Sequence, residues 1–223
     1  MRDILPPAVI DTLRDRYLAG VADAEANFWN AVGDEDSLTG ALGQAVSNRS
    51  GIVVAVEGAE YTVKIRWDKL RGNGPRAPES LYGPDGIFQI EILNERGQIV
   101  RTKGLPFQAK TGWKGTNSEL AKQCSAIERS LAGGIVVNYT ANGYEACTTE
   151  AAYRFKGKYG LAKQAGEIQP LGQLLANDFL NCTKGSVGLF FDRRTERFYG
   201  DDGRQIAPAT AITTSITRRI SDR

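Results

Sequence analysis

The chain has 223 residues, of which 41% are hydrophobic, and 28 basic against 26 acidic side chains give it a formal charge of only +2. That is enough apolar material for a normal core and argues against general disorder, while the near-neutral charge does not by itself announce a nucleic-acid binder. The sequence contains no histidine, which excludes Ser-His-Asp and Cys-His nucleophile schemes, histidine-based zinc sites and histidine-dependent metal nucleases; carboxylates, amides, lysine and a hard metal ion remain for any chemistry.

From the amino terminus, MRDILPPAVIDTLRDRY lacks the basic-then-apolar layout of a secretory signal, and no apolar run reaches the roughly 18 residues that span a bilayer. The expectation is a soluble, cytoplasmic protein with no membrane partner. Pro6 and Pro7 suit a helix start, and Val9, Leu13, Tyr17, Leu18 and Val21 recur at helical spacing, so the first thirty residues read as one or two helices. In GDEDSLTGALGQAVS, Asp34 or Asp36 can cap a second helix with Leu38, Leu42 and Val46 as its stripe. GIVVAVEGAEYTVKIRW reads as a hairpin broken at Gly58. DKLRGNGPRAPESLYGP is a Gly- and Pro-rich loop carrying Lys69, Arg71 and Arg76, an arm suited to cover a ligand.

Strands are predicted at 87–93, 99–103 and 105–109, with NERGQ turning between the first two. Thr116 and Glu119 have capping-box spacing, and Leu120, Cys124, Ile127 and Leu131 form one apolar stripe before Gly133 and Gly134 stop the helix. IVVNYT reads as a buried strand, and YEACTTEAAYRF as a pairing strand or a helix. Pro170 opens a helix with Leu171, Leu174, Leu175 and Phe179 inward, and VGLFF with FDRRTERFYG gives a strand or hairpin. Cys124, Cys147 and Cys182 are odd in number and form no CxxC, so they are expected to be buried thiols. The simplest organisation is one α/β domain: a helical extension over 1–33, a core over 34–200 and a C-terminal tail over 201–223.

Charge is unevenly distributed. Between Arg96 and Ser118 there is no acid, whereas Arg101, Lys103, Lys110 and Lys114 are basic; 151–166 is likewise acid-free, with Arg154, Lys156, Lys158 and Lys163 among Tyr153, Phe155 and Tyr159. Basic groups neutralise phosphates and aromatic rings stack on bases, so Lys69, Arg71, Arg76, Lys103, Lys114, Arg154, Lys156 and Lys158 are candidate nucleic-acid contacts. For either stretch alone the alternative is a solvated amphipathic face.

Two phrases exceed what packing requires. Asp85 follows Pro84 at the head of one strand, and Gln108, Ala109 and Lys110 end another, 23 residues after Asp85. Alternation along a strand puts Gln108 and Lys110 on one face, so an amide and an ammonium are presented together. Taken alone, PDG could be a turn and Lys110 the end of an edge strand. Helix, hairpin, PD, (D/E)xK, helix and strand in this order resemble the PD-(D/E)XK nuclease superfamily, with the restriction-endonuclease-like mixed sheet flanked by helices. The likeness covers about 34–140 and is closest to QxK variants of bacterial restriction and anti-phage defence nucleases.

The resemblance implies a metal-dependent DNA endonuclease, with Mg²⁺ (or Mn²⁺) held by Asp85 and the side-chain oxygen of Gln108, and with Lys110 orienting the attacking water. Gln in place of an acid leaves the metal short of charge, so a second carboxylate is expected; Glu35 is the first candidate, its alternative role being complementarity to the helix dipole. Glu91, six residues along the strand, would lie roughly 20 Å from Asp85. Gln123 resembles a helical Gln near the metal in several branches of the superfamily, although mid-helix Gln is common. A compact catalytic module with no obvious specificity domain is expected to depend on a partner subunit or on homodimer formation. The competing reading is a catalytically silent nucleic-acid-binding or assembly subunit of the same fold. A small-molecule enzyme is disfavoured because no phosphate-binding glycine loop follows a strand.

Overall fold

The computed structural model describes residues 1, 3–70, 84–195, 197–199 and 208–220. Helix α1 (Pro7–Ala26) starts at the predicted proline pair, whose fixed φ and missing N–H suit a first turn, and buries Val9, Ile10, Leu13, Tyr17 and Val21. After the single turn α2 (Phe28–Ala31) comes α3 (Glu35–Val46), capped by Asp34, whose carboxylate accepts from Ser37 N–H at 2.6 Å. Leu38, Leu42 and Val46 of α3 are fully buried in the same core as α1. The expected helical extension is therefore part of the core, because its apolar stripe has nowhere else to be buried.

Strands β1 (Asn48–Val56) and β2 (Ala59–Lys69) form the predicted hairpin. Glu57 and Gly58 both take positive φ, 48° and 78°, the geometry a two-residue hairpin turn demands. Asp68 and Lys69, read as loop, complete β2, whereas Arg71 and Arg76 lie outside the described residues. Strand β3 (Gly86–Leu93) pairs antiparallel with β4 (Ile99–Thr111), which runs unbroken through Gly104 where two strands were expected. Helix α4 (Ser118–Leu131) is capped by Asn117, which accepts from Leu120 N–H at 2.9 Å; Thr116 instead makes a β-bridge with Lys158, so the capping-box reading was off by one residue.

From α4 the chain returns as β5 (Ile135–Thr140), parallel to β4, then β6 (Gly143–Thr148), α5 (Thr149–Arg154), α6 (Tyr159–Gln164) and β7 (Gln169–Pro170). A short α7 (Leu171–Gln173) runs into a π-helical turn (Leu174–Phe179), followed by β8 (Ser186–Val187) and the hairpin of β9 (Phe190–Asp192) and β10 (Arg197–Tyr199). Last is β11 (Thr210–Ile220). The nine-stranded mixed sheet has the order β1-β2-β11-β3-β4-β5-β6-β7, with β8 beside β4. Thus 201–223, expected as a tail, supplies an interior strand, antiparallel to β2 and parallel to β3. Its buried threonines find internal partners: the Thr214 hydroxyl pairs with Tyr17 at 2.8 Å and that of Thr213 accepts from Gln89 at 3.0 Å.

Helices cover both faces of the sheet. Phe88, Ile90, Phe107 and Ala109 pack with α1 and α3, whereas Ile87 packs with Ile127 and Leu131 of α4 and with the β9–β10 hairpin. Each such fully buried large apolar side chain stabilises the fold by roughly 1.5–3 kcal/mol. Among the described residues no helix is long and apolar enough to cross a membrane.

Candidate active site

Asp85 sits immediately before β3, and the β3–β4 register pairs Gly86 with Phe107, so the carboxylate stands opposite Gln108. One of its oxygens accepts from Ala109 N–H at 2.8 Å and from the Gln108 side-chain amide. Its backbone carbonyl accepts from Thr210 N–H at 3.0 Å and from the Thr210 hydroxyl at 3.2 Å, so β11 fixes Asp85 from the other side. Gly86 must be glycine: a Cβ there would overlap the Phe107 ring and the Thr210 hydroxyl. Asp85 therefore meets the QAK strand through Gln108 and Ala109, while Lys110, expected to meet Asp85 directly, bonds Glu35 instead; the arrangement depends on a threonine that the sequence reading did not single out.

Burial pushes the Asp85 carboxyl up to about 6, against the pull of Ala109 N–H and the Lys110 charge, and the nearby charges of Glu35 and Asp36 add to the rise. Lys110 reaches Glu35 at the first turn of α3, Nζ to Oε2 at 3.2 Å, and the other Glu35 oxygen accepts from Thr111 N–H at 3.0 Å. Glu35 is thus brought to the site as expected, with both oxygens engaged by the QAK strand. Gln108 is almost wholly buried, and its Oε1 has no partner among the described residues. Oε1 of Gln123, on the flank of α4, is likewise buried and unpartnered. Glu91 accepts from the Ser215 hydroxyl further along β3 and takes no part.

Among the described residues no group of three or more His, Cys, Asp or Glu side chains is placed to hold a metal ion. A cation here would need oxygen donors of two kinds. The Asp85 carboxylate is destabilised by burial, and the Gln108 amide oxygen is desolvated and unused; together they suit a hard divalent ion that prefers oxygen. The amide now turns its nitrogen toward Asp85, and rotation about its last bond exchanges the two ends.

The candidate nucleic-acid contacts divide. Lys103 is a correction: it is wholly buried, donates to the Phe179 carbonyl and lies 4.7 Å from that ring's centroid, and desolvation lowers its pKa. Lys103 points to the α1 face with Leu105 and Phe107, the alternation that also sets Gln108 and Lys110 on the opposite face. Arg154 is half exposed but paired with Glu167 and Glu150. Lys69 pairs with Asp36 at 3.2 Å. Lys114, Lys156 and Lys158 are exposed, and the two acid-free stretches meet. The Trp113 indole N–H and Asn117 N–H both donate to the Gly157 carbonyl, at 3.0 and 2.9 Å, and Tyr159 N–H donates to Gly115 at 3.0 Å. Cys124 and Cys147 are buried as expected, whereas Cys182 is only half-buried.

No protein-family model matches the chain, and searches of curated proteins and of solved structures found no significant match.

Proposed function

We propose that this chain is a metal-dependent endonuclease of the PD-(D/E)XK type in its QxK form, hydrolysing DNA phosphodiester bonds in bacterial restriction or anti-phage defence. The observation that carries the reading is the convergence of Asp85, Gln108, Lys110 and Glu35 at adjoining ends of β3, β4 and α3. The succession β3, β4, α4 and a parallel β5 supports a restriction-endonuclease-like core, into which β11 is inserted between the first hairpin and the Asp85 strand.

A divalent cation such as Mg²⁺, or Mn²⁺ in its place, would be held by Asp85 and Gln108 and would polarise the phosphate and acidify a bound water. Asp85 must be ionised to bind it, which its raised pKa allows above about pH 6. Gln108 contributes the unpartnered amide oxygen. Lys110, partly exposed and paired with Glu35 at 3.2 Å, supplies positive charge where the phosphate becomes more negative and orients the attacking water. Glu35 keeps that ammonium positioned, and release from Glu35 would free it for the phosphate. Lys114, Lys156 and Lys158 are available for phosphates of the flanking strand.

One observation favours the second reading, a silent DNA-binding subunit: both Glu35 oxygens are already occupied, so the second carboxylate expected at the metal is committed elsewhere. Supercoiled plasmid incubated with Mg²⁺ or Mn²⁺ separates the two. Wild type should cut, and Lys110→Ala should lose about 10²–10⁴-fold in rate, while Mn²⁺ binding measured by calorimetry is retained. DNA binding without cleavage by wild type would replace the enzyme with the binding subunit.

A further inference from the structure

A groove of about 440 Å³ opens between α4 and α5. Ser118, Lys122, Ser125 and Arg129 line it from α4, at the i, i+4, i+7, i+11 spacing of one helix face, and Tyr153 and Lys156 line it from α5 and the turn that follows. None of its lining residues is acidic. The acids of the two helices have partners: Glu119 pairs with Lys122 at 3.5 Å, Glu128 with the Thr149 hydroxyl, and Glu150 with Arg154 at 3.9 Å. Among the described residues Arg129 and Lys156 form no ion pair, Arg129 donating instead to the Ser125 hydroxyl at 2.9 Å. Tyr153 is 53% exposed, with no aromatic neighbour for its ring and no hydrogen-bond partner for its hydroxyl among those residues. Lys156 takes left-handed backbone, φ 54°, a conformation that glycine would adopt at less cost.

We propose that this groove binds an unpaired DNA strand, with phosphates against Lys122, Arg129 and Lys156 and one base stacked on Tyr153. That the strand is DNA rests on the nuclease reading above, but the groove uses no residue of the Asp85 centre. Lys122 and Arg129 stand seven residues apart, about 10 Å along the helix axis, and Lys156 faces them from the other wall. A single phosphate reaches one of these cations, whereas a strand with one charge per nucleotide meets all three. The hydroxyls of Ser118 and Ser125 add neutral donors for phosphate oxygens. Tyr153 decides which polyanion fits: a free ring face stacks on a base, and a duplex offers only base edges in its grooves, so the base must be unpaired. The groove also adjoins the loop that leaves the QAK strand, because Asn117 N–H donates to the Gly157 carbonyl at 2.9 Å and Thr116 bridges to Lys158. Lys114 lies between Lys110 and Ser118 in the chain, so basic groups continue from the centre to the groove.

The test is fluorescence anisotropy of a labelled single-stranded oligonucleotide, in EDTA so that no cutting intervenes, across a salt series. Lys156→Gly should leave the melting temperature essentially unchanged, since glycine suits that backbone, yet lower the slope of log affinity against log salt by about 0.7. Lys122→Gln, Arg129→Gln and Lys156→Gly combined should lower the slope by about 2 and the affinity at least about tenfold. Tyr153→Ala should lose about tenfold with the slope unchanged, and Tyr153→Trp should restore the affinity. These last two variants separate stacking from charge. A duplex of the same sequence, or inorganic polyphosphate, bound as tightly as the strand would overturn the unpaired strand, and so would Tyr153→Ala binding like wild type. Tighter binding of RNA would overturn its identity as DNA. Stronger capture by phosphatidylserine vesicles, lost in the combined variant, would assign the groove to a membrane surface instead. Strand affinity unchanged in the combined variant while wild type cuts plasmid would overturn the groove and leave the nuclease reading intact. Affinity lost in the combined variant with no plasmid cleavage by wild type would support the groove and remove the nuclease reading.

Discussion

Asp85 is ionised at a cost, because the carboxylate is buried with only Ala109 N–H, the Gln108 amide and the distributed charge of Lys110 to compensate it. A carboxyl whose pKa rises from 3.8 to about 6 on folding binds more protons in the folded state between those values. Its stabilising contribution is therefore present at low pH and lost as pH rises from about 4 to about 6. At about 1.4 kcal/mol per pH unit, Asp85→Asn is expected to be up to about 3 kcal/mol more stable than wild type at pH 8, with the difference vanishing near pH 4. Urea melts across that range check it. A cation competes with the same proton, so Mn²⁺ affinity should rise about tenfold per pH unit below pH 6 and level off above; a flat profile would remove Asp85 as the ligand. The motif residues were legible because PD and QxK are local phrases. The loss of Lys103 from the contact set was not foreseen from charge counting; only the unbroken β4 carries the alternation through Gly104 and sets Lys103 on the face opposite Lys110.

At the scale of elements, hairpins and helices carried their own signals: Pro7 at the start of α1, Asp34 before α3, the Glu57–Gly58 turn and the stripe of α4. Their ends were less legible, since Asn117 and Thr116 have similar capping chemistry and only the Lys158 bridge decides between them. That bridge joins two acid-free stretches far apart in sequence, and Gly157 makes it feasible. Its φ of 70° is left-handed, and a Cβ there would overlap the Asn117 carbonyl. Gly157→Ala is expected to cost about 1–3 kcal/mol in stability and to lower both DNA affinity and its salt dependence by separating Lys114 from Lys158. Chemical denaturation and filter binding across a salt series read these two effects; an unchanged salt slope would mean that the apposed stretches do not contact phosphates.

At the scale of the whole molecule, β11 decides the architecture. It fills the gap between β2 and β3, satisfies both strands and donates twice to the Asp85 carbonyl. A chain ended before residue 208 would leave two long strand edges unpaired in the middle of the sheet, so it is expected to lose cooperative thermal unfolding; a sharp transition in circular dichroism would show that β11 is dispensable. The sequence TAITTSITRRI is rich in β-branched residues, yet its threonines dilute the apolar signal, which is why it read as a tail. By itself the sequence determined the absence of histidine chemistry, the proline start of α1, the first hairpin turn, the apolar stripes and the approach of Asp85 to the QAK strand, because each depends on residues within one or two neighbouring elements. Only the tertiary structure decided the interior place of β11, the hold of Glu35 on Lys110 and the burial of Lys103. Those depend on contacts between residues distant in the chain, and local propensity carries no information about which distant partner satisfies a buried polar group.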